Sequence, residues 1–173
     1  LNHGIFPVQS AKHESFVKTL SKNLGVEFYS KTANVRMIAR QQGRSLEDAG
    51  RVARYEFFER LARRHAFNKI ATAHTLDDQA ETILMRVLRG SGLRGLAGIP
   101  EIRDTPSGIS VIRPLLGVTK KDILLFLKKA RQPYCRDRSN ETDAYTRNRL
   151  RRHLLPKLER EYNPSLKESL ASL

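Results

Sequence analysis

The chain is poor in cysteine: Cys135 stands alone among 173 residues. A single thiol excludes an intramolecular disulfide framework, a CxxC redox pair and a four-cysteine zinc site. A reducing, cytoplasmic setting is the expectation. Tryptophan is absent, and no apolar run approaches the ~18 residues that a membrane-spanning helix needs. The cationic segments also lack the bulky apolar faces of helices that lie on membranes. The opening run LNHGIFPVQS has no charged stretch ahead of an apolar one, so it does not read as a secretory signal. There is no internal repeat and no low-complexity tract. No Walker A loop is present, and the glycine-rich run that begins at Gly90 follows a helix rather than a strand, so it does not make a dinucleotide-binding fingerprint. The chain begins on Leu1 and ends on Leu173 inside an apolar-periodic run, so both ends are expected to be cuts.

What is abundant is positive charge. Lysine and arginine number 32 against 18 acids, a formal net charge of +14. Arginine clusters such as Arg149-Leu150-Arg151-Arg152-His153 suit bidentate contacts with phosphate. Counterion release favours such a surface on nucleic acid. So many like charges on one helix repel unless a polyanion offsets them.

Local patterns predict helices alternating with short apolar strands, hence an α/β fold with an open parallel sheet and helices on both faces. Ser10–Asn23 reads as a helix, with Phe16, Val17, Leu20 and Leu24 at helical spacing and Gly25 as its stop. Val26–Tyr29 reads as a strand. Ser45, with Asp48 three residues on, opens a helix to about Ala66. Residues 69–74 read as a buried strand and 77–89 as a helix that Gly90 ends. Val111-Ile112-Arg113-Pro114 reads as the end of an extended segment, and Thr119 as the cap of another helix. A basic helix is expected from about Thr142 to Leu155, interrupted near Pro156. Asn163-Pro164 is expected to start a last one.

The decapeptide Ala73-His74-Thr75-Leu76-Asp77-Asp78-Gln79-Ala80-Glu81-Thr82 carries the most chemistry. Ligands of open parallel sheets bind outside the carboxyl ends of the strands. Asp78 and Glu81 share a helix face there, and His74 leans over the same mouth. Such a group could hold Mg²⁺ beside a nucleotide triphosphate, or orient and deprotonate a nucleophile. The plainer alternative is that Asp77 and Asp78 only cap the helix. A zinc site is the weaker option, with one imidazole in reach. Arg51 and Arg54 lie one turn apart on their helix. Arg86, Arg89 and Arg94 surround a glycine-rich run, RGSGLRGLAG, in which the backbone could approach a phosphate.

The run AHTLDDQAETILMRVLRGSGLRGLAGI resembles the signature of the tRNA(Ile)-lysidine synthetases, within the N-type ATP-pyrophosphatase (PP-loop) superfamily. The order of landmarks is similar too: Asn2-His3-Gly4, Arg51-x-x-Arg54-Tyr55, Val111–Leu116, Asp137-x-Ser139-Asn140 and Arg147-Asn148-x-x-Arg151. The resemblance implies a Rossmann-like domain followed by a small helical region. It implies residues 1–130 as a partial nucleotide-binding domain without its first strand and phosphate loop, and 131–173 as a basic helical extension or the start of a linker or further domain. It implies that ATP adenylates the C2 oxygen of the wobble cytidine of an isoleucine tRNA with a CAU anticodon. The ε-amine of L-lysine then attacks C2 and expels AMP, leaving lysidine.

By motif matching, His74, Asp78, Glu81, Arg54 and Arg147 are the expected catalytic residues. Asn2, His3 and His74 are expected to meet ATP, Asp78 and Glu81 to meet lysine or Mg²⁺, and Arg89, Arg113, Arg149 and Arg151 to meet tRNA. No membrane partner is expected, and a homodimer is one arrangement the chain could take. Two departures stand out. No Ser-Gly-Gly-x-Asp-Ser loop occurs in these residues, and Phe6 stands where the family usually has arginine. Without that loop the alternative is a basic module that holds tRNA without activating it. A tRNA-thiolating relative is disfavoured by the lone Cys135.

Overall fold

The structure, a computed structural model, describes residues 1–2, 7–92, 96–136, 143 and 146–173. The chain divides into two compact units, Leu1–Ile70 and Ala71–Leu173. The second therefore holds the whole 131–173 segment together with the elements before it.

The first unit carries α1 (Pro7–Asn23), α2 (Val35–Gln42) and α3 (Leu46–Arg64). Helix α1 ends where expected, at Gly25 with φ +66°. Its predicted stripe is only partly covered: Phe16 and Leu20 are half-buried while Val17 and Leu24 are exposed. Helix α2 has no counterpart among the helices expected from sequence. The Asn34 side chain accepts from the Met37 amide at its start, and Gly43 ends it in the left-handed conformation. Helix α3 begins at Ser45, whose hydroxyl accepts from the Asp48 amide at 3.2 Å. Val35 and Ala39 of α2 pack on Ala49 of α3, the small core of this unit.

The predicted strand at Val26–Tyr29 does not form. Pairing occurs instead further on, as one parallel bridge between Asn2 and Thr32, with Asn2 N–H donating to Lys31 and Ala33 N–H to Asn2, each at 2.8 Å.

Three strands of three residues, β1 (Lys69–Ala71), β2 (Ile102–Asp104) and β3 (Ser110–Ile112), form a sheet in the order β1-β3-β2. The predicted run 69–74 thus yields a shorter strand, with only Ile70 of its three residues buried. β2 and β3 are antiparallel, with Arg103 opposite Val111, so an antiparallel hairpin forms part of the sheet. The Thr105-Pro106-Ser107-Gly108 turn makes this hairpin, Gly108 sitting at φ +75° where a side chain would be strained.

Helix α4 (Leu76–Leu88) buries Leu76, Ala80, Ile83 and Leu84 at helical spacing. Thr119 caps α5 (Lys120–Lys129), none of whose residues is buried. The basic helix runs as α6 (Thr146–Arg149), a π-helical stretch over Leu150–Leu154, and α7 (Leu155–Glu161). The expected interruption is therefore a widened turn rather than a break. Leu155 N–H reaches back to the Leu150 carbonyl, and Pro156 then removes the next donor. Helix α8 (Leu166–Ala171) follows Asn163, whose side chain accepts from the Ser165 amide. Leu84, Leu150 and Leu155 form the core here, with Leu166 and Leu170 packed against it.

Candidate active site

The site grows from the amino end of α4. Thr75 is the cap rather than Asp77 or Asp78. Its hydroxyl accepts from the Asp78 amide, and Asp78 Oδ2 accepts from the Thr75 amide at 2.9 Å, closing a capping box. The other oxygen of Asp78 faces α6. Arg147 Nη2 and Arg151 Nη2 each donate to Oδ1 at 3.2 Å. One turn along, Glu81 is 1% exposed. Arg147 Nε donates to its Oε2 at 2.7 Å, Arg151 Nη2 to the same oxygen at 2.9 Å, and Arg151 Nε to Oε1 at 2.5 Å.

Two carboxylates and two guanidinium groups thus form one charge-balanced cluster. A buried carboxylate is costly unless its lone pairs are met by well-aligned cationic donors, and here they are. Burial alone would lower the pKa of Arg151, but its bonds to Glu81 and the nearby Asp78 charge raise it above its ordinary value. The arginines are not sealed in: the Arg147 side chain is 28% exposed and that of Arg151 is 30% exposed. The acids orient the two cations while leaving part of each accessible to an external anion. The spacing holds because Arg147 and Arg151 lie four residues apart on the α6 path, matching the Asp78–Glu81 pair.

The other predicted residues fall in different places. His74 lies between β1 and α4, half-buried, with Nδ1 2.9 Å from the Thr72 hydroxyl. Arg149 points away from the acids; it is exposed and 3.4 Å from Thr146 Oγ1. Arg89 is exposed at the end of α4. Arg113, expected to meet tRNA, is 7% exposed and donates to the Pro100 carbonyl, so it presents little surface to an RNA backbone. Asn2 and Arg54 lie in the first unit. Asn2 Nδ2 is 3.5 Å from Glu14, and Arg54 is exposed on α3, where its charge adds to burial in lowering the pKa of the Leu1 ammonium. His3, Phe6, Arg94 and the run Asp137–Asn140 lie outside the described residues.

The donor set does not suit Mg²⁺. That ion wants carboxylate oxygens together with several waters in an octahedral shell. The free oxygen of Asp78 and both oxygens of Glu81 are already taken by N–H donors. Among the described residues no group of three or more His, Cys, Asp or Glu side chains converges as for a metal ion.

Asp77, which the sequence offers only as a cap, instead ties three elements together. Its Oδ2 accepts from the Lys120 amide at 2.7 Å and Oδ1 meets Lys167 Nζ at 3.1 Å, with Glu159 3.4 Å from the same ammonium. Burial raises the Asp77 pKa, but the Lys120 amide and the Lys167 charge outweigh it and hold the carboxyl below its usual value. Gln79 is a further residue that the sequence motifs do not single out, although a polar residue between the buried positions Leu76 and Ala80 is a signal in itself.

The PP-loop domain profile matches residues 1–158. The tRNA(Ile)-lysidine synthase of Clostridioides difficile is 37% identical over 173 residues, covering all of this chain and 37% of that protein. The bifunctional protein TilS/HprT of Listeria monocytogenes is 39% identical over 166 residues, 96% of this chain and 25% of that one. The chain therefore spans between a quarter and a little more than a third of the length of these curated relatives. Among solved structures, the U34-tRNA thiolase NcsA of Methanococcus maripaludis, with its [4Fe-4S] cluster, superposes with a TM-score of 0.74 at 18% identity. That superposition covers 94% of this chain and 56% of the thiolase, a likeness of fold alone. With an α/β architecture, an acid-bearing helix opening after a strand, and a profile match over nearly all its residues, the chain belongs to the PP-loop domain family.

Proposed function

We propose that this chain is part of an ATP-dependent tRNA-modifying enzyme that joins L-lysine to C2 of the wobble cytidine of an isoleucine tRNA with a CAU anticodon. The observation that carries the reading is the Asp78–Glu81–Arg147–Arg151 cluster. It pairs a cation-holding acid pair with two partly exposed arginine side chains, in a chain whose PP-loop relatives are named for lysidine synthesis.

The chemistry asks for both halves. ATP transfers its adenylyl group to the C2 oxygen of cytidine and releases pyrophosphate. The lysine ε-amine then adds to C2, loses a proton, and AMP departs with the C2 oxygen. The Arg147 guanidinium steadies negative charge on the phosphates, as preorganised cations do in such transfers. Asp78 and Glu81 hold the alkylammonium of lysine and receive its proton before attack. His74, two residues before α4, is assigned to the same step. The acids now hold guanidinium groups, cations of the same charge as an ammonium. When ATP or RNA phosphate draws Arg147 and Arg151 outward, the carboxylates are released to take lysine. Arg89, Arg149 and Arg151 serve the RNA.

The test uses the full-length protein that contains this sequence. Asp78→Asn and Glu81→Gln should abolish ATP-dependent incorporation of labelled lysine into tRNA(Ile) while changing tRNA affinity by only a few fold. A second reading is a basic module that holds tRNA without modifying it, and the saturation of both carboxylates by arginine favours it. Loss of tRNA binding in step with loss of activity would mean that the acids are structural, whereas a wild-type protein that binds tRNA but never incorporates lysine would support the second reading.

A further inference from the structure

The backbone from Gly98 to Glu101 is gripped from two sides by polar side chains. Gln79 Oε1 accepts from the Ile99 amide at 2.6 Å, and Arg86 Nη1 donates to the Gly98 carbonyl at 2.8 Å. Arg113 adds a guanidinium donor to the Pro100 carbonyl, and its own amide donates to Glu101 at 3.0 Å. Gln79 is 8% exposed and Arg113 is 7% exposed. Gln79 and Arg86 are seven residues apart on α4, two turns along one face. Gly98 is buried at φ +66°, and a Cβ there would sit 2.4 Å from Gln79 Nε2. The amide tip could swing aside, but only by giving up Ile99. Gln79 is therefore matched to glycine at 98.

This grip lies at the exit of the run that starts with Arg89 and Gly90. It is made by the residue between Asp78 and the buried Ala80. We propose that Gln79 is a positioning residue. It sets the register between the Gly98–Glu101 segment and the helix that carries the acids, so that a substrate reaching the carboxylates meets them in line. The proposal rests on the function given above. It needs no contact between Gln79 and substrate.

The test compares Gln79→Met, which removes the acceptor at similar size, with Gln79→Glu, which keeps it, and Gly98→Ala, which displaces it. All are made in the full-length protein and assayed well below their melting temperatures. Two readouts are taken. One is tryptic cleavage after Arg89, normalised to cleavage after Arg44. The other is the kcat of lysine incorporation at saturating tRNA, with the tRNA Kd measured separately. Gln79→Met and Gly98→Ala should raise the cleavage ratio at least about tenfold, because local opening governs cleavage. They should lower kcat by about 10- to 100-fold, the usual cost of ångström-scale misplacement, with tRNA Kd nearly unchanged. Gln79→Glu should stay near wild type in both.

A Gln79→Met protein with wild-type cleavage overturns the grip. Raised cleavage with wild-type kcat overturns the positioning role, since a merely structural bond would behave that way. A Gln79→Glu protein as impaired as Gln79→Met also counts against it. If wild-type protein incorporates no lysine, the proposed function fails, while the cleavage ratio still decides the grip.

Discussion

Arg151 holds Glu81 at two points, through Nε to Oε1 at 2.5 Å and Nη2 to Oε2 at 2.9 Å. This planar fork meets a carboxylate that is 1% exposed. Removing one partner of a buried pair leaves an uncompensated charge, at a cost of about 3–5 kcal/mol. Glu81→Ala should therefore lower unfolding free energy by about that amount, read by urea denaturation. Arg151→Lys should not act as a conservative change, because an ammonium cannot span both oxygens. A Glu81→Ala loss under about 1 kcal/mol would mean the cluster is not closed in solution.

The sharing of Asp78 and Glu81 between arginine and lysine makes a thermodynamic demand. If phosphate draws Arg147 and Arg151 away, tRNA must raise lysine affinity, and lysine must raise tRNA affinity by the same factor. Coupling of this kind is commonly about 5- to 150-fold. Equilibrium dialysis of labelled lysine with full-length protein, with and without tRNA(Ile) and in the absence of ATP, measures it. Equal lysine affinity in both cases would mean that the arginines stay on the acids throughout.

Asp77 links α4, the start of α5 and Lys167 on α8. Its folded pKa is depressed, so its contribution to stability is present above the unfolded value of about 3.9 and is lost as pH falls through the folded value. Burial works against the charge of Lys167, but Asp77 and then Glu159 leave its pKa raised. Its contribution is therefore full below its unfolded value of about 10.4 and is lost as pH rises through the folded one. Lys167→Met should flatten the pH dependence of stability at both limits, and Asp77→Ala should cost about 1–3 kcal/mol near neutrality. Denaturation midpoints of wild type and Lys167→Met at roughly pH 3, 7 and 11, which bracket the unfolded-state values of both groups, test this. Parallel curves would remove the pair from the account.

The legible parts of the molecule are those set by contacts close in sequence. Ser45, Thr119 and Gly25 mark helix ends because a cap or a left-handed stop is decided by the next three or four residues. The acid pair and its arginines are visible as residue types in matching spacing. Their saturation is not, because Glu81 and Arg151 are 70 residues apart and only packing brings them together. Helix α2 carries such local signals too, with Asn34 at its start, Val35, Ile38 and Ala39 at helical spacing and Gly43 at its end, but over only eight residues. The strand expected at Val26–Tyr29 fails for a different reason. Its apolar and aromatic residues satisfy β propensity, yet a strand exists only where a partner pairs with it, and among the described residues the one bridge in this region joins Asn2 to Thr32, beyond Tyr29. Arg113 looks like one more surface cation because nothing local shows that the Pro100 carbonyl covers it.

That last contrast gives a prediction for RNA binding. Each lysine or arginine that neutralises a phosphate contributes about one unit to the slope of log affinity against log salt. Arg89 and Arg149 are exposed, and Arg149→Gln and Arg89→Gln should each weaken tRNA binding at low salt and reduce that slope by about one. Arg113 is buried, so Arg113→Gln should leave the slope alone and act on stability instead, by removing a donor from the Pro100 carbonyl. Filter binding of full-length protein to tRNA(Ile) across a salt series, beside thermal melts of the same variants, separates the two effects. A slope that falls for Arg113→Gln without loss of stability would mean that its guanidinium turns outward to meet RNA. A slope unchanged by Arg149→Gln would move the RNA path off the outer face of α6.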